Sequence, residues 1–215
     1  MPIVRFALLT LFLVLASGCA TTPQAPGIED DVLDALTSRY GEAARQRLIA
    51  WRHLIASHRD QPLPLQLAAV NDFINRLHFE DDILHWQRED YWATPIETLV
   101  TQGGDCEDFA LAKYATLREL GVADACLRLV YVKAQTLNKA HMVLTYQCQR
   151  EDPAWVLDNL NPQILTTQQR DDLVPVYSFN KTGLWLAGAQ GMGRQVGEAS
   201  RLSAWVDWLQ RMHWR

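Results

Sequence analysis

Residues 103–110 read GGDCEDFA, which sets Cys106 between Asp105 and Glu107, with Asp108 one step further. A cysteine nucleophile reacts as the thiolate, and carboxylates crowded around it oppose that charge. Two features could offset the opposition. Cys106 opens a predicted helix, whose N-terminal partial positive charge favours an anion. A bound Ca²⁺ would cancel the repulsion outright, and hard oxygen ligands such as Asp105, Glu107 and Asp108 suit it. No EF-hand loop accompanies them. The same acids have a plainer reading: they complement the helix dipole, and Asp105 with Asp108 resembles a capping box.

Two further residues complete a chemical set. His141 lies in AHMVLTY, and Asp158 lies in VLDNL. A thiolate held by an imidazolium, itself oriented by a carboxylate, is the arrangement for nucleophilic acyl transfer. Histidine titrates near neutrality and can pass a proton to a leaving amine. Singly, each residue has an ordinary structural role: a cysteine at a helix start, a histidine in a strand, an aspartate opening a turn. It is the order Cys106, His141, Asp158 on helix, strand and strand that points to a catalytic triad.

The elements that must position these groups follow from periodicity. Leu48, Ile49, Trp51, Leu54 and Ile55 recur at helical spacing, and Pro62 and Pro64 end that segment. Residues 65–77 predict a second amphipathic helix. Residues 80–104 read as irregular, with a short helix after Pro95. Residues 106–120 predict a helix that Gly121 ends. Beyond it, CLRLVYVKA, HMVLTYQC, AWVLDNL, LVPVYSF and GLWLA read as strands with no helix between them. The expectation is an α+β fold in which an N-terminal helical part packs on an antiparallel sheet. A hairpin centred on Leu137 would set Cys126 opposite Cys148, either as a cross-strand disulfide or as two buried thiols. A second hairpin around residues 149–153 would set His141 opposite Asp158.

The chain has 215 residues, 48% of them hydrophobic, enough for one domain with a substantial core. Its formal charge of −5, with no basic tract, argues against nucleic acid as a partner. Residues 1–18 read as a secretion signal: Arg5, then an apolar run too short to span a bilayer, then small residues before Cys19. The pattern is that of a lipoprotein signal with Cys19 acylated as a lipid anchor. A plain cut after Ala20 is the alternative. Residues 19–30 form a polar linker, and residues 31–215 form the domain of a periplasmic protein, which a lipidated Cys19 would anchor to the outer membrane. The C-terminal stretch EASRLSAWVDWLQRMHWR forms an amphipathic helix with Leu202, Trp205, Leu209 and Met212 on one face. The ordinary role of that face is to cover the core. Trp208 and Trp214 fall off the stripe and become candidate anchors for a partner.

The stretches DYWATPIETLVTQGGDCEDFALAKYATLRELG, AHMVLTY, VLDNL and PVYSFNKTGLWL together resemble the bacterial transglutaminase-like cysteine proteinases of the LapG periplasmic type. The resemblance implies a papain-like, transglutaminase-type fold. It makes Cys106 the nucleophile, His141 the base and Asp158 the orienting acid. It ties Asp105 and Glu107, with Asp108, to calcium dependence. It further implies cleavage of a large surface adhesin near its N-terminus, at a paired-alanine site, releasing cells from a biofilm. A cyclic-di-GMP-responsive inner-membrane receptor would be the inhibitory partner. Competing readings are a transglutaminase, a peptidoglycan-processing cysteine hydrolase, and an inactive calcium-dependent binding module.

Overall fold

The computed structural model describes residues 28–149, 151–186 and 193–212. Cys19 and Trp214 lie outside them. Three helices come first: α1 (Asp30–Tyr40), α2 (Glu42–His58) and α3 (Leu63–Ile74). The predicted 65–77 helix thus begins two residues earlier and stops before Leu77. Helix α1 starts inside the expected linker, where Ile28 is already buried.

Residues 78–104 carry more order than the sequence suggested. Strand β1 (His78–Phe79) pairs in parallel with β2 (Gly103–Gly104), and between them lie α4 (Asp82–His85) and α5 (Pro95–Thr101). A true capping box starts α5. Glu97 N–H donates to the Thr94 hydroxyl, and Thr94 N–H donates back to Glu97. Next comes α6 (Cys106–Glu119), buried along most of its length by Phe109, Leu111, Tyr114, Ala115 and Leu117. Gly121, at φ 94°, terminates it in a conformation that favours glycine.

The second half is strand-rich. It comprises β3 (Leu127–Ala134), β4 (Lys139–Tyr146), β5 (Trp155–Leu157), β6 (Leu165–Thr166), β7 (Leu173–Asn180), β8 (Gly183–Leu186) and β9 (Gln195–Gly197). They form one antiparallel sheet in the order β6-β5-β4-β3-β7-β8-β9. Helix α6 packs against β3 and β4. Leu127, Leu129, Met142, Leu144, Leu157 and Phe179 join the helices in the main core. Val130, Val132, Val143, Val156 and Leu173 form a smaller second cluster. The α+β expectation holds. Among the described residues no helix is long and apolar enough to cross a membrane.

Both hairpin registers are offset from the sequence reading. Leu127 lies opposite Tyr146, so Cys126 reaches Cys148 from just outside the ladder. The two form a disulfide with Cα atoms 4.3 Å apart, and Cys106 is left as a free thiol. Leu144 lies opposite Leu157, the last pair of that ladder. His141 therefore meets Asp158 on a diagonal rather than directly across.

The chain closes with α7 (Ser203–Met212), and here the sequence reading needs correction. Trp208 is fully buried, stacked on Trp205 with ring centroids 5.0 Å apart. Its indole N–H donates to Ala93 O at 3.0 Å. Residues three apart on a helix share a face, so Trp208 belongs with Trp205 and cannot anchor a partner. Arg211 fastens the same helix to Glu97 at 2.7 Å and to Trp92 O at 2.6 Å. Helix α7 is thereby a buttress for residues 91–97, which bear directly on the site.

Candidate active site

Cys106 is the first residue of α6, separated from the Gly103–Gly104 strand by Asp105 alone. A Cβ on Gly104 would collide with the Asp108 carboxylate, so the close approach of strand to helix requires glycine there. Asp108 is fully buried and accepts from Ala93 N at 2.6 Å and from Trp86 Nε1 at 3.3 Å. It therefore ties the helix start to the segment that α7 holds through Trp208.

Asp105 occupies the N-cap position but makes no side-chain cap bond. The capping-box reading of Asp105 with Asp108 does not hold, since Asp108 points to Ala93 and Trp86. The Asp105 Oδ1 atom is buried with no hydrogen-bond partner. A second orphan lies nearby: Asp82 is buried, and its Oδ1 is also unpartnered. Its other oxygen accepts from Tyr91 N. Ligand atoms of Asp82, Asp105 and Asp108 lie within 4.8 Å of one another, as do those of Asp82, Asp90 and Glu107. The structure thus gathers the three acids singled out in sequence and adds Asp82 and Asp90, which the sequence reading missed. The acid-rich stretch around residues 80–90 was the available signal, but only the turn after α4 brings it to α6.

The cluster's electrostatics are adverse as it stands. Burial pushes the Asp82 carboxyl up to about 6, offset in part by the Tyr91 amide. Burial, then the Glu107 charge and hydrogen bond, drive Asp105 strongly upward. Burial and the same Glu107 also raise the Cys106 thiol well above its ordinary value, with only the Met142 amide helping the anion. Cys106 accordingly donates to Glu107 Oε2 at 3.0 Å, and its hydrogen bond does not go to His141. A thiol beside a carboxylate donates to it, so turning the sulfur to the imidazole requires that carboxylate to be engaged elsewhere. Buried, unpartnered carboxylate oxygens around a site of this charge fit a hard divalent cation.

On the neighbouring strand, His141 is 4% exposed and its Nε2 lies 2.7 Å from Asp158 Oδ1. The Met142 amide that faces the Cys106 sulfur belongs to the next residue, so sulfur and imidazole share one short stretch of β4. With Nε2 taken, Nδ1 is the ring atom available for proton exchange. Asp158 is held from several sides. Leu160 N donates to Oδ1 at 3.0 Å, Arg170 Nη2 donates to Oδ2 at 2.7 Å, and Asn75 Nδ2 donates to the Asp158 carbonyl at 2.8 Å. Burial pushes the Asp158 carboxyl up, but His141, the Leu160 amide and Arg170 together bring it down to about 2. A buried amine, Lys113 of α6, also acts on Asp158 electrostatically. Neither Arg170 nor Lys113 stood out in the sequence. A free thiol at a helix start beside a buried histidine–carboxylate pair is an arrangement suited to acyl transfer.

The comparisons agree with this geometry. Residues 53–189 match the family model described as bacterial transglutaminase-like cysteine proteinase. No curated protein sequence matches. An EGTA-treated structure of Legionella pneumophila LapG is 41% identical, with a TM-score of 0.76, covering 88% of this chain and 100% of that one. A calcium-bound structure of the same Legionella pneumophila protein is 40% identical, with a TM-score of 0.74, covering 86% of this chain and 100% of that one. The fold is α+β of the papain-like kind. The chain belongs to the bacterial transglutaminase-like cysteine proteinases, and over most of its length it is similar to LapG.

Proposed function

We propose that this protein is a calcium-dependent periplasmic cysteine endopeptidase that cleaves the N-terminal region of a large surface adhesin and so promotes release from a biofilm. The observation that carries the reading is the buried His141–Asp158 pair, 2.7 Å apart, beside the free Cys106 at the start of α6. Family membership supports hydrolysis over cross-linking.

In this reading His141 takes the Cys106 proton through Nδ1, and the sulfur attacks the scissile carbonyl carbon. The C–N bond breaks, His141 returns the proton to the departing amine, and a thioester to Cys106 remains. Water, deprotonated by His141, then releases the acyl group and regenerates the thiol. Asp158 keeps the ring oriented and stabilises its protonated form. The first amides of a helix have no intrahelical acceptor, so those at the start of α6 are candidate donors for the developing oxyanion.

Asp105, Glu107 and Asp108, joined by Asp82 and Asp90, are the residues that would hold Ca²⁺; the orphaned oxygens of Asp82 and Asp105 support this. When bound, the ion supplies positive charge that offsets the carboxylates around the sulfur. Secretion of the chain, acylation of Cys19 and sequestration by an inner-membrane cyclic-di-GMP receptor complete the proposal, on the strength of the leader and the resemblance to LapG. The test is to incubate the purified mature protein with the adhesin's N-terminal fragment, in calcium or in chelator. One cut at the paired alanines is expected in calcium only, and none with Cys106→Ala. Cleavage by Cys106→Ala, or full cleavage in chelator, refutes the proposal.

A further inference from the structure

Asp158 has two carboxylate oxygens with different tasks. Oδ1 faces His141, and Oδ2 accepts from Arg170 Nη2 at 2.7 Å. Arg170 is 4% exposed, which is rare for an arginine that serves only the surface. It is itself gripped by Asp172, with Nε to Oδ1 at 2.8 Å and Nη2 to Oδ2 at 2.9 Å. Three anchored groups therefore run in line: Asp172 fixes the guanidinium, the guanidinium fixes Oδ2, and Oδ1 is thereby aimed at the ring.

The chain's covalent layout does not do this by itself. Asp158 follows the last residue of β5, beyond the final ladder pair of β4 and β5. Asn75 Nδ2 holds its carbonyl and Leu160 N reaches only Oδ1, so sheet register does not hold the carboxylate plane. A planar guanidinium with fixed N–H directions can hold such a plane, whereas a point charge cannot. Lys113 illustrates the contrast. It lies close enough to act on Asp158, yet no hydrogen bond between them is formed.

We propose that Arg170 is a positioning residue for the peptidase reaction, orienting the Asp158 carboxylate so that Oδ1 holds the His141 ring in register with Cys106. The inference rests on the proposed function above. Misplacing a catalytic group by about 1 Å can cost ~10²-fold in rate, so removal of the guanidinium should lower kcat by about 10- to 100-fold. KM should change little, because Arg170 is 4% exposed and its guanidinium is engaged by Asp158 and Asp172.

The test uses the mature wild-type protein, Arg170→Ala, Arg170→Lys and Asp172→Asn in saturating calcium. The substrate is a fluorogenic peptide with two consecutive alanines at the scissile position. Folding is checked by circular dichroism, and kcat is expressed per folded molecule. Arg170→Ala should lose kcat with KM within about twofold, and millimolar methylguanidine should restore part of it. Arg170→Lys should fall between the two, since it keeps the charge and loses the planar fork. Should Arg170→Ala not fold, Asp172→Asn decides, because it leaves Arg170 in place, keeps at most one of the two acceptors that grip it and removes their charge. There kcat should still fall several-fold, and an unchanged kcat overturns the inference. Unchanged kcat in folded Arg170→Ala overturns the inference, as does loss confined to KM, or Arg170→Ala activity that methylguanidine leaves untouched while Arg170→Lys matches it. Iodoacetamide labelling of wild-type Cys106 separates the two levels. Brisk labelling with a null Arg170 result removes the inference alone, whereas wild-type Cys106 no more reactive than an ordinary thiol removes the peptidase reading with it.

Discussion

Lys113 offers a quantitative prediction. It is 1% exposed in the middle of α6, and burial lowers its amine from 10.5 to about 7, with Asp158 pulling the other way. The gap of about 3.5 (10.5 − 7) corresponds to about 5 kcal/mol, at ~1.4 kcal/mol per pH unit, that the folded state forfeits to keep a proton there. Below pH 7 the amine is charged in both states and the whole penalty falls on the native protein. Between pH 7 and 10.5 the native amine is neutral while the unfolded chain still binds the proton, so stability rises with pH. Lys113→Met keeps an unbranched side chain of similar reach and removes the charge. The variant should exceed wild type by about 2–5 kcal/mol near pH 6, and the excess should shrink by most of that near pH 10. Urea unfolding of both proteins at the two pH values, with calcium fixed, reads the difference directly, and other titrating groups cancel in the comparison. A gap that does not change with pH, or a Met variant less stable throughout, would show that the amine is usefully paired and that the reasoning fails.

Two other predictions concern the frame. Trp208→Ala removes a fully buried ring and the donor to Ala93 O, so it should destabilise by about 3–5 kcal/mol. A folded, equally stable variant would return Trp208 to the surface role expected from sequence. Replacing Cys126 and Cys148 by Ser opens a loop whose ends are 22 residues apart. On the chain-entropy account the loss is about 3 kcal/mol, read by chemical denaturation, and a loss near zero would contradict that account.

Much of this site was legible because each key residue stands inside a local pattern. Cys106 precedes a clear helical period, His141 lies in an apolar strand, and Asp158 ends another. Arg170 and Lys113 were invisible for the opposite reason. Arg170 follows two glutamines in a polar stretch, and Lys113 looks like an ordinary helix-face charge. Only tertiary packing puts either near Asp158. Asp82 and Asp90 were lost in a segment read as irregular, because the two-residue pairing of β1 with β2 carries no periodic signal. The capping box was assigned to the wrong helix: Thr94 with Glu97 has it, while the carboxylate of Asp105 is left for other chemistry. The diagonal meeting of His141 and Asp158 reflects a register that the sequence fixes only to within a residue or two.

The central claim is that Cys106, held as a thiol by its acidic neighbours, becomes a nucleophile when a cation engages them. Its most direct test is the second-order rate of Cys106 alkylation by iodoacetamide near neutral pH, followed by intact mass in calcium and in chelator. Cys126 and Cys148 are joined, so Cys106 is the sulfur read among the described cysteines. The account predicts labelling at least about tenfold faster in calcium, with the difference abolished by Asp105→Ala combined with Glu107→Ala. Equal rates with and without calcium in the wild-type protein would contradict it.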